Sequence, residues 1–182
     1  LAKPLFNFLV PVALVLLRAT ATAANDWPEW RGEGRAAVWT ETGIVNELPT
    51  ELRVKWRVPI NAGYSGPAVA DGRVFITDWA EDPESRTMDG TERAIALDEE
   101  TGEVLWVREW PTSYRMLMIS YAIGPRATPT VDGDRVYVVG AAGDLYCLGV
   151  ETGEVLWEKH YIADYDSFIP TWGVASSPII DG

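Results

Sequence analysis

The chain has 182 residues, of which 47% are hydrophobic, 11% aromatic and 23% charged, a composition typical of a globular rather than a disordered protein. Its 27 acidic and 15 basic residues give a formal net charge of −12, which repels phosphate backbones and anionic lipid and argues against binding to nucleic acid. With one Cys, Cys147, and one His, His160, this chain can form neither an intrachain disulfide nor a thiolate or multi-histidine zinc site.

The first 24 residues have the pattern of a secretory signal peptide. Lys3 precedes an apolar run at 5–17, and small residues follow as far as Ala23 and Ala24, near which we expect cleavage. The run of about 13 residues is short for a bilayer span, which takes about 20. An uncleaved anchor or a core helix is the alternative interpretation. The preferred one predicts a periplasmic or secreted protein without a membrane span in the mature chain, and not a lipoprotein, because no Cys lies near the cleavage zone.

The remainder of the chain repeats with a period near 50 residues. Segments at 66–109 and 127–160 both run from a Pro through an Asp-Gly step to the sequence Glu-Thr-Gly-Glu-Val-Leu-Trp, and a third copy begins at 176–182. Trp residues close the successive units at spacings of 50 and 51 residues, at positions Trp56, Trp106 and Trp157. A period of this length is typical of propeller blades.

Each unit is predicted to form four short antiparallel strands. Residues 73–77 and 135–139 alternate in the period-2 pattern of half-buried strands. Glycines stand where tight hairpin turns are expected, at Gly72, Gly102, Gly133 and Gly153. Four short strands in a unit of about 50 residues indicate an all-β fold, a β-propeller of four-stranded antiparallel blades.

The domain organisation follows from this arithmetic. We expect a signal peptide at 1–24, an N-terminal leader at 25–52 and part of a propeller at 53–182. The segment at 54–58 matches the outer strand of a blade but has no inner strands before it, and the third unit stops after one inner strand. Because a ring of 4 to 8 blades takes about 200 to 400 residues, the expectation is an incomplete ring within a larger protein.

These motifs resemble the pyrroloquinoline-quinone-like, or quinoprotein-type, propeller repeat. The similarity rests on the Asp-Gly turns and on the Leu-Tyr and Thr-Gly-Glu-x-Leu-Trp steps at 145–157. The leader at 26–32, Asp-Trp-Pro-Glu-Trp-Arg-Gly, looks like the opening of a secreted bacterial subgroup of that family. The resemblance implies that the Trp at the end of each unit docks between neighbouring blades. Turn formers and packing residues specify architecture, so the function stays open.

Two functional classes occur in this family, and the resemblance supports both. Its dehydrogenases hold the quinone and a calcium ion over the central channel, use an Asp as base and stack a disulfide of two adjacent Cys on the quinone. Here Cys147 aligns with Ala96, a small buried strand position. Cofactor-free relatives include a scaffold protein of outer-membrane barrel assembly.

We therefore expect a noncatalytic binding or scaffold propeller of the bacterial cell envelope, engaging a protein or carbohydrate partner. One alternative is an alcohol or sugar dehydrogenase that depends on pyrroloquinoline quinone and calcium, whose ligands and catalytic Asp would lie in other blades. Another is an extracytoplasmic sensor domain of a larger protein, such as one with a kinase module. No catalytic residue and no cofactor is assigned to this chain; the dehydrogenase alternative allows pyrroloquinoline quinone and calcium in the full-length protein.

Candidate ligand contacts precede the inner strands. Trp172, before the third inner strand, offers a flat surface on which a quinone or a sugar stacks. Tyr64 and Tyr121 occupy comparable places before the first and second inner strands. With Arg126 these side chains are predicted to line one mouth of the channel.

Acidic candidates lie in two predicted loops. The first blade carries 11 more residues than the second, at 78–90, where Glu81, Asp82 and Glu84 are candidate calcium ligands. Their spacing fits no calcium-loop pattern, so a solvated acidic loop is the preferred interpretation.

The second acidic loop follows the second blade. Asp164 and Asp166 lie two residues apart beside Tyr161 and Tyr165, a spacing usable in acid–base chemistry, although a solvated surface loop is preferred. His160 is expected in solvent at the top of an outer strand.

The leader is also basic at two positions. We expect Arg31 and Arg35 to tie it to the acidic surface of the propeller.

Overall fold

The computed structural model describes residues 25–121 and 123–181, and the predicted signal peptide with Ala23 and Ala24 lies outside these ranges. The described elements, in chain order, are a 3₁₀ turn at Glu33–Arg35 and β1 (Ala68–Ala70), β2 (Arg73–Glu81), β3 (Asp89–Asp98), β4 (Val104–Ser113), β5 (Thr130–Asp132), β6 (Arg135–Val139), β7 (Asp144–Gly149), β8 (Val155–His160) and α1 (Tyr161–Tyr165).

The strands form two four-stranded antiparallel sheets, in the orders β1-β2-β3-β4 and β5-β6-β7-β8. Every neighbour in a sheet is also the neighbour in sequence, so each sheet is a simple up-and-down meander. This is the geometry of a propeller blade. The predicted fold class, an incomplete propeller of four-stranded blades, is confirmed.

The two blades share even their irregularities. In the first, the register between β3 and β4 shifts between Ala96 and Leu97, and in the second between Cys147 and Leu148. Ala96 and Cys147 face the repeat tryptophans Trp106 and Trp157, and both are fully buried. Cys147 is thus the structural counterpart of Ala96, as the repeat alignment predicts, and it packs as a small apolar residue.

A joint core holds the two blades together. Phe75 from the first blade and Val136 and Leu148 from the second belong to one buried cluster with Trp106. The Trp106 indole Nε1 donates to the Val150 carbonyl of the second blade at 2.8 Å. Burial of these aromatic and branched side chains supplies the main stabilisation of the pair of sheets.

The longer first blade differs from the predicted loop at 78–90. β2 runs on to Glu81 and β3 already begins at Asp89, so most of the extra residues extend a hairpin. Asp78 pairs with Arg93 and Trp79 with Glu92 across it. The sequence did not show this extension because charged residues interrupt the apolar alternation, and the buried Asp78 is neutralised by Arg93 from the opposite strand.

The segments outside the two sheets carry no ladders among the described residues. Residues 52–61 and 173–181, which contain the predicted outer strand at 54–58 and the third inner strand, have no described neighbour with which to form a strand. Trp56 nevertheless packs on the first blade, where its Nε1 donates to the Glu99 carbonyl at 2.8 Å. Trp157 remains 41% exposed, whereas Trp106 is 9% exposed, because only Trp106 has a described blade beside it.

Within the described residues no helix is both long and apolar enough to span a membrane.

Candidate functional site

The connections between blades meet at one end of the sheets, which we call the loop end. The Tyr64 N–H donates to the Pro125 carbonyl at 2.8 Å, which joins the connection before the first blade to the one between the blades. The Met118 N–H donates to the Thr171 carbonyl at 2.7 Å, which adds the connection after the second blade. Main-chain bonds therefore fix three loops that are distant in sequence against one another.

The structure brings the four candidate ligand contacts to this end. The rings of Tyr121 and Trp172 lie 5.6 Å apart, at 47° to each other, and both are exposed. Arg126 is half-buried beside them, where its Nη1 donates to the Gly124 carbonyl at 3.2 Å. Tyr64 is exposed on the neighbouring connection. Their function as a channel mouth stays a prediction.

A buried glutamate, which the sequence analysis did not single out, anchors the loop end. Glu92 of β3 is fully buried and accepts bonds from the Tyr114 hydroxyl at 2.5 Å, the Trp110 indole at 2.9 Å and the Ala141 N–H at 2.8 Å. Ala141 belongs to the second blade, so this carboxyl group links the two sheets. Gly140 is required beside it, because a Cβ there would lie 2.0 Å from Glu92 Oε2.

Burial controls the protonation of this network. Desolvation raises the pKa of Glu92, against the smaller opposite effects of its three donors. The pKa of the Tyr114 hydroxyl is also raised, first by burial and then by the adjacent Glu92 carboxyl. Its three donors come from β4, from Tyr114 just after β4 and from the second blade, so the group fixes these segments against one another. The only sequence signal for it is an acid amid the apolar strand β3.

A second buried carboxylate orders the connection before the first blade. Asp78 is fully buried and receives two bonds from Arg93, 2.7 Å from Nε and 2.6 Å from Nη2. It also accepts from the Asn61 N–H at 2.6 Å. Asp78, which the sequence placed in a loop, therefore forms a structural ion pair with Arg93. Its bond to Asn61 fixes the segment that leads to Tyr64.

A cleft of about 380 Å³ opens between the end of β4 and the second blade. Apolar side chains of Leu117, Ile162 and Ile169 line it together with the Asp144 carboxylate and His160. Burial raises the pKa of Asp144, and the His160 Nε2 lies 3.7 Å away. His160, expected in solvent, is half-buried, and its Nδ1 accepts from the Ala163 N–H at 3.4 Å at the start of α1.

The acidic candidates of the first blade remain apart. Glu81, Asp82 and Glu84 are exposed, and Asp82 Oδ1 accepts from the Glu84 N–H at 2.9 Å, a local turn bond. At the base of the same turn, bonds from Thr87 and other hydroxyls lower the pKa of Asp89. Among the described residues no three His, Cys, Asp or Glu side chains are grouped to hold a metal ion.

The acidic pair of the second loop also has a structural function. The segment predicted as a loop contains the single-turn helix α1. Asp164 Oδ2 accepts from the His160 N–H at 2.6 Å, and Asp166 ends the helix in the left-handed conformation at φ 49°. Tyr161 and Tyr165 pack edge to face, 6.5 Å apart. The Asp164 carboxylate thus caps the start of the helix, and the main chain of Asp166 ends it.

Comparison with known families places this architecture. Residues 32–167, which make up most of the chain, match the family model described as outer membrane protein assembly factor BamB. A search of curated proteins found no match.

Solved structures with a similar arrangement include a BamB and two dehydrogenases. BamB from Moraxella catarrhalis is 22% identical, with 60% of this chain and 24% of that chain covered and a TM-score of 0.34. Quinohemoprotein alcohol dehydrogenase from Comamonas testosteroni is 18% identical, with 57% and 14% covered and a TM-score of 0.38. A europium-containing methanol dehydrogenase is 21% identical, with 59% and 19% covered and a TM-score of 0.40. The chain thus spans less than a quarter of the length of each.

Proposed function

Since the chain belongs to the family described as outer membrane protein assembly factor BamB, we propose that it is part of a noncatalytic propeller of the bacterial cell envelope that binds a protein partner. The observation that carries the proposal is a surface at the loop end, which we call the loop-end patch. Its members are apolar or aromatic side chains that are between 49% and 82% exposed, namely Tyr64, Met116, Tyr121, Phe168 and Trp172.

The composition of this patch favours a protein partner. Exposed Tyr, Trp, Phe and Met side chains are enriched in protein–protein interfaces, and grouped apolar exposure costs solubility unless a partner covers it. Tyr121 and Trp172 lie in ring contact, so they form a paired anchor of the kind that dominates binding energy. The loops that carry them are held by main-chain bonds, which lowers the entropy cost of binding.

The buried acids support a binding function over a catalytic one. Glu92 and Asp78 each accept three hydrogen bonds from protein donors, which commits them to holding the loops in place. The loop-end patch itself is aromatic and apolar. A rigid frame beneath an aromatic surface is suited to recognition.

The remaining predictions enter this proposal together. We propose export by the signal peptide at 1–24 to the periplasm or the exterior. We also propose that Trp56, Trp106 and Trp157 dock between neighbouring blades. The domain organisation that we propose is a leader at 25–52 followed by part of a propeller at 53–182.

The test uses the full-length protein with a photo-crosslinking amino acid at Phe168, in cells of the source bacterium. We expect one dominant crosslinked partner, identified by mass spectrometry as an envelope protein of outer-membrane barrel assembly. The Tyr121→Ala/Trp172→Ala pair should remove the crosslink. A probe at Glu100, in an exposed turn at the opposite end of the blade, is the matched control. Equal labelling from both probes would contradict the proposal.

Titration of the same protein with pyrroloquinoline quinone, with and without calcium, tests the dehydrogenase alternative. We expect no saturable change in quinone absorbance. A calcium-dependent, stoichiometric spectral shift together with electron transfer from an alcohol or sugar to a dye would replace the proposed function by that of a quinoprotein dehydrogenase.

A further inference from the structure

The inner edges of the two blades, which are the free edges of β1 and β5, are covered by the leader. β1 and β5 each stand first in their sheet, so each pairs with a strand on one side only. Main-chain donors and acceptors on the other side are a template for any extended chain. In a propeller these edges surround the central channel.

Two successive leader residues form main-chain hydrogen bonds with the same strand position in two successive blades. The Trp27 N–H donates to the Val69 carbonyl at 2.7 Å, and the Val69 N–H donates back at 2.9 Å. The Val131 N–H donates to the Pro28 carbonyl at 2.8 Å. Val69 and Val131 are the middle residues of β1 and β5, opposite Val74 and Val136 in the ladders. Pro28 lacks an N–H, and this contact requires only its carbonyl.

Arg35 carries the leader to the third repeat. Its Nη2 donates to the Ser177 carbonyl at 3.1 Å and also to the Pro178 carbonyl. Its Nε donates to Glu29 Oε2 at 2.9 Å, and both side chains of this ion pair are mostly buried. Pro178 holds the place that Pro129 holds in the second repeat, so the leader contacts equivalent segments of three consecutive units.

The leader is folded for this task. Gly32 is buried with φ +72°, and a Cβ there would lie 2.8 Å from the Trp27 ring. The Gly32 N–H donates to the Glu29 carbonyl at 2.9 Å, and the Arg35 N–H to the Gly32 carbonyl at 2.9 Å. These bonds bring Trp27 and Arg35 to one side of a compact loop, from which they reach different blades. Arg31 and Arg35 both lie over the Trp30 ring, at 5.5 and 5.9 Å from its centroid, and Arg35 in addition bonds to the third repeat.

We infer that the inner edges of the blades form a peptide-binding site whose resident ligand is the chain's own leader, residues 27–35. The site takes a Trp-Pro step, which pairs with the two edge strands, followed by a compact turn that presents an Arg seven residues later. Strand-like main-chain pairing supplies the affinity, and the guanidinium on the carbonyls of the third repeat sets the register. A peptide from solution that pairs with Val69 and Val131 in the same way must displace the leader. This inference does not depend on the proposed partner at the loop end.

Hydrogen exchange in the full-length protein tests the site directly. Arg35→Ala should lower protection of the Val69 and Val131 amides by about tenfold, since it removes charge-assisted bonds. Amides in the β2–β3 ladder serve as the internal reference and should keep their protection. Arg31→Ala, which removes the same charge from the same loop, is the matched control and should change neither. Unchanged protection in Arg35→Ala, or equal loss in the reference amides, would overturn the inference.

A peptide-exchange experiment places the substitutions in the ligand, so folding of the variant is not at issue. A protease cleavage site is introduced at 44–50 of the full-length protein, so that the protease cuts the chain after the bound segment 27–35. We expect the nicked leader to stay bound during gel filtration and to exchange with a labelled peptide of residues 25–37. Peptides with Arg35→Ala or Gly32→Ala should compete at least about tenfold more weakly than the Arg31→Ala peptide. Release of the leader on nicking, or equal competition by all three peptides, would contradict a site on the inner edges.

Discussion

Trp106 and Val150 join the two blades by a single side-chain bond: the indole Nε1 of the first donates to the carbonyl of the second at 2.8 Å. Trp56 repeats this contact one blade earlier, on Glu99. In both cases the ring lies on a glycine of the β3–β4 type of turn, Gly153 under Trp106 and Gly102 under Trp56. The same tryptophan contact thus occurs at two successive units, alongside the Glu92–Ala141 bond and the joint core that also link the two sheets.

Substitution of Trp106 should weaken the joint between blades. Trp106→Phe keeps an aromatic ring but leaves the buried Val150 carbonyl without its donor and vacates part of the ring volume. We expect a loss of about 2 kcal/mol in the free energy of unfolding, measured by urea denaturation of the full-length protein. Trp30→Phe, at an exposed leader position, is the control and should stay within about 0.5 kcal/mol of the wild type. Equal effects of the two changes would exclude this assignment.

Two turn glycines allow the cost of a close side-chain contact to be distinguished from the cost of a left-handed backbone. Gly153 has φ +66° and a Cβ there would lie 2.5 Å from the Trp106 ring, whereas Gly133, at φ +55°, has no atom within 4 Å of the added carbon. Gly133→Ala should cost about 1 kcal/mol for the left-handed backbone alone. Gly153→Ala should cost about 2 kcal/mol more, because the ring must move. Thermal unfolding of both variants measures the difference, and similar melting temperatures would refute the packing argument.

The Asp78–Arg93 pair should be strongly coupled. Arg93→Met leaves the fully buried Asp78 carboxylate without its bidentate partner, and we expect a loss of about 3 kcal/mol in unfolding free energy. Arg86→Met, at an exposed position of the β2–β3 turn, is the matched control. In the Asp78→Asn/Arg93→Met double variant the loss should be smaller than the sum of the two single losses. Additive losses in chemical denaturation would show that the pair is not coupled.

The raised pKa of Glu92 should make the folded protein less stable as the pH rises. Its folded pKa lies above the ordinary value of 4.5 because burial disfavours the charged form. As the pH rises from 4.5 towards the folded pKa, the unfolded chain has released this proton while the folded protein retains it, so stability falls across that window and then levels off. Glu92→Gln should lack this fall.

Urea denaturation between pH 4 and pH 8 measures the effect. The stability advantage of the wild type over Glu92→Gln should be largest at the acidic end and should shrink as the pH rises. Asp89 and Asp98, whose pKa values are lowered by hydrogen bonds, titrate with the opposite sign at lower pH and are common to both proteins. An advantage that grows with pH would show that the Glu92 pKa is not raised.

Local chemistry explains how much of the fold the sequence predicts. The Asp-Gly and Thr-Gly steps place glycines such as Gly72 and Gly102 at left-handed turn positions, with φ of 71° and 74°. The alternation at 73–77 and 135–139 assigns strands, and the tryptophan spacing assigns the blade. Each of these signals lies within a few residues, so it is readable without a structure.

The contacts that build the site join residues far apart in sequence. Glu92 bonds to Ala141 across 49 positions, and Arg35 to Pro178 across 143. The sequence predicts that Tyr121 and Trp172 are aromatic residues in loops. The residues around each of them do not predict that the two rings come into contact. Likewise, the extension of β2 to Glu81 depends on Arg93 neutralising Asp78 from the opposite strand.

The sequence by itself therefore determined the repeat, the four strands of a blade and the turns between them, because backbone preference and burial period are local properties. Tertiary structure alone decided that Asp78 and Glu92 are buried anchors, that three connections converge at the loop end, and that the leader lies along the inner edges. Those outcomes depend on which donors meet which acceptors once the blades pack, and packing brings together partners whose separation in the chain carries no signal.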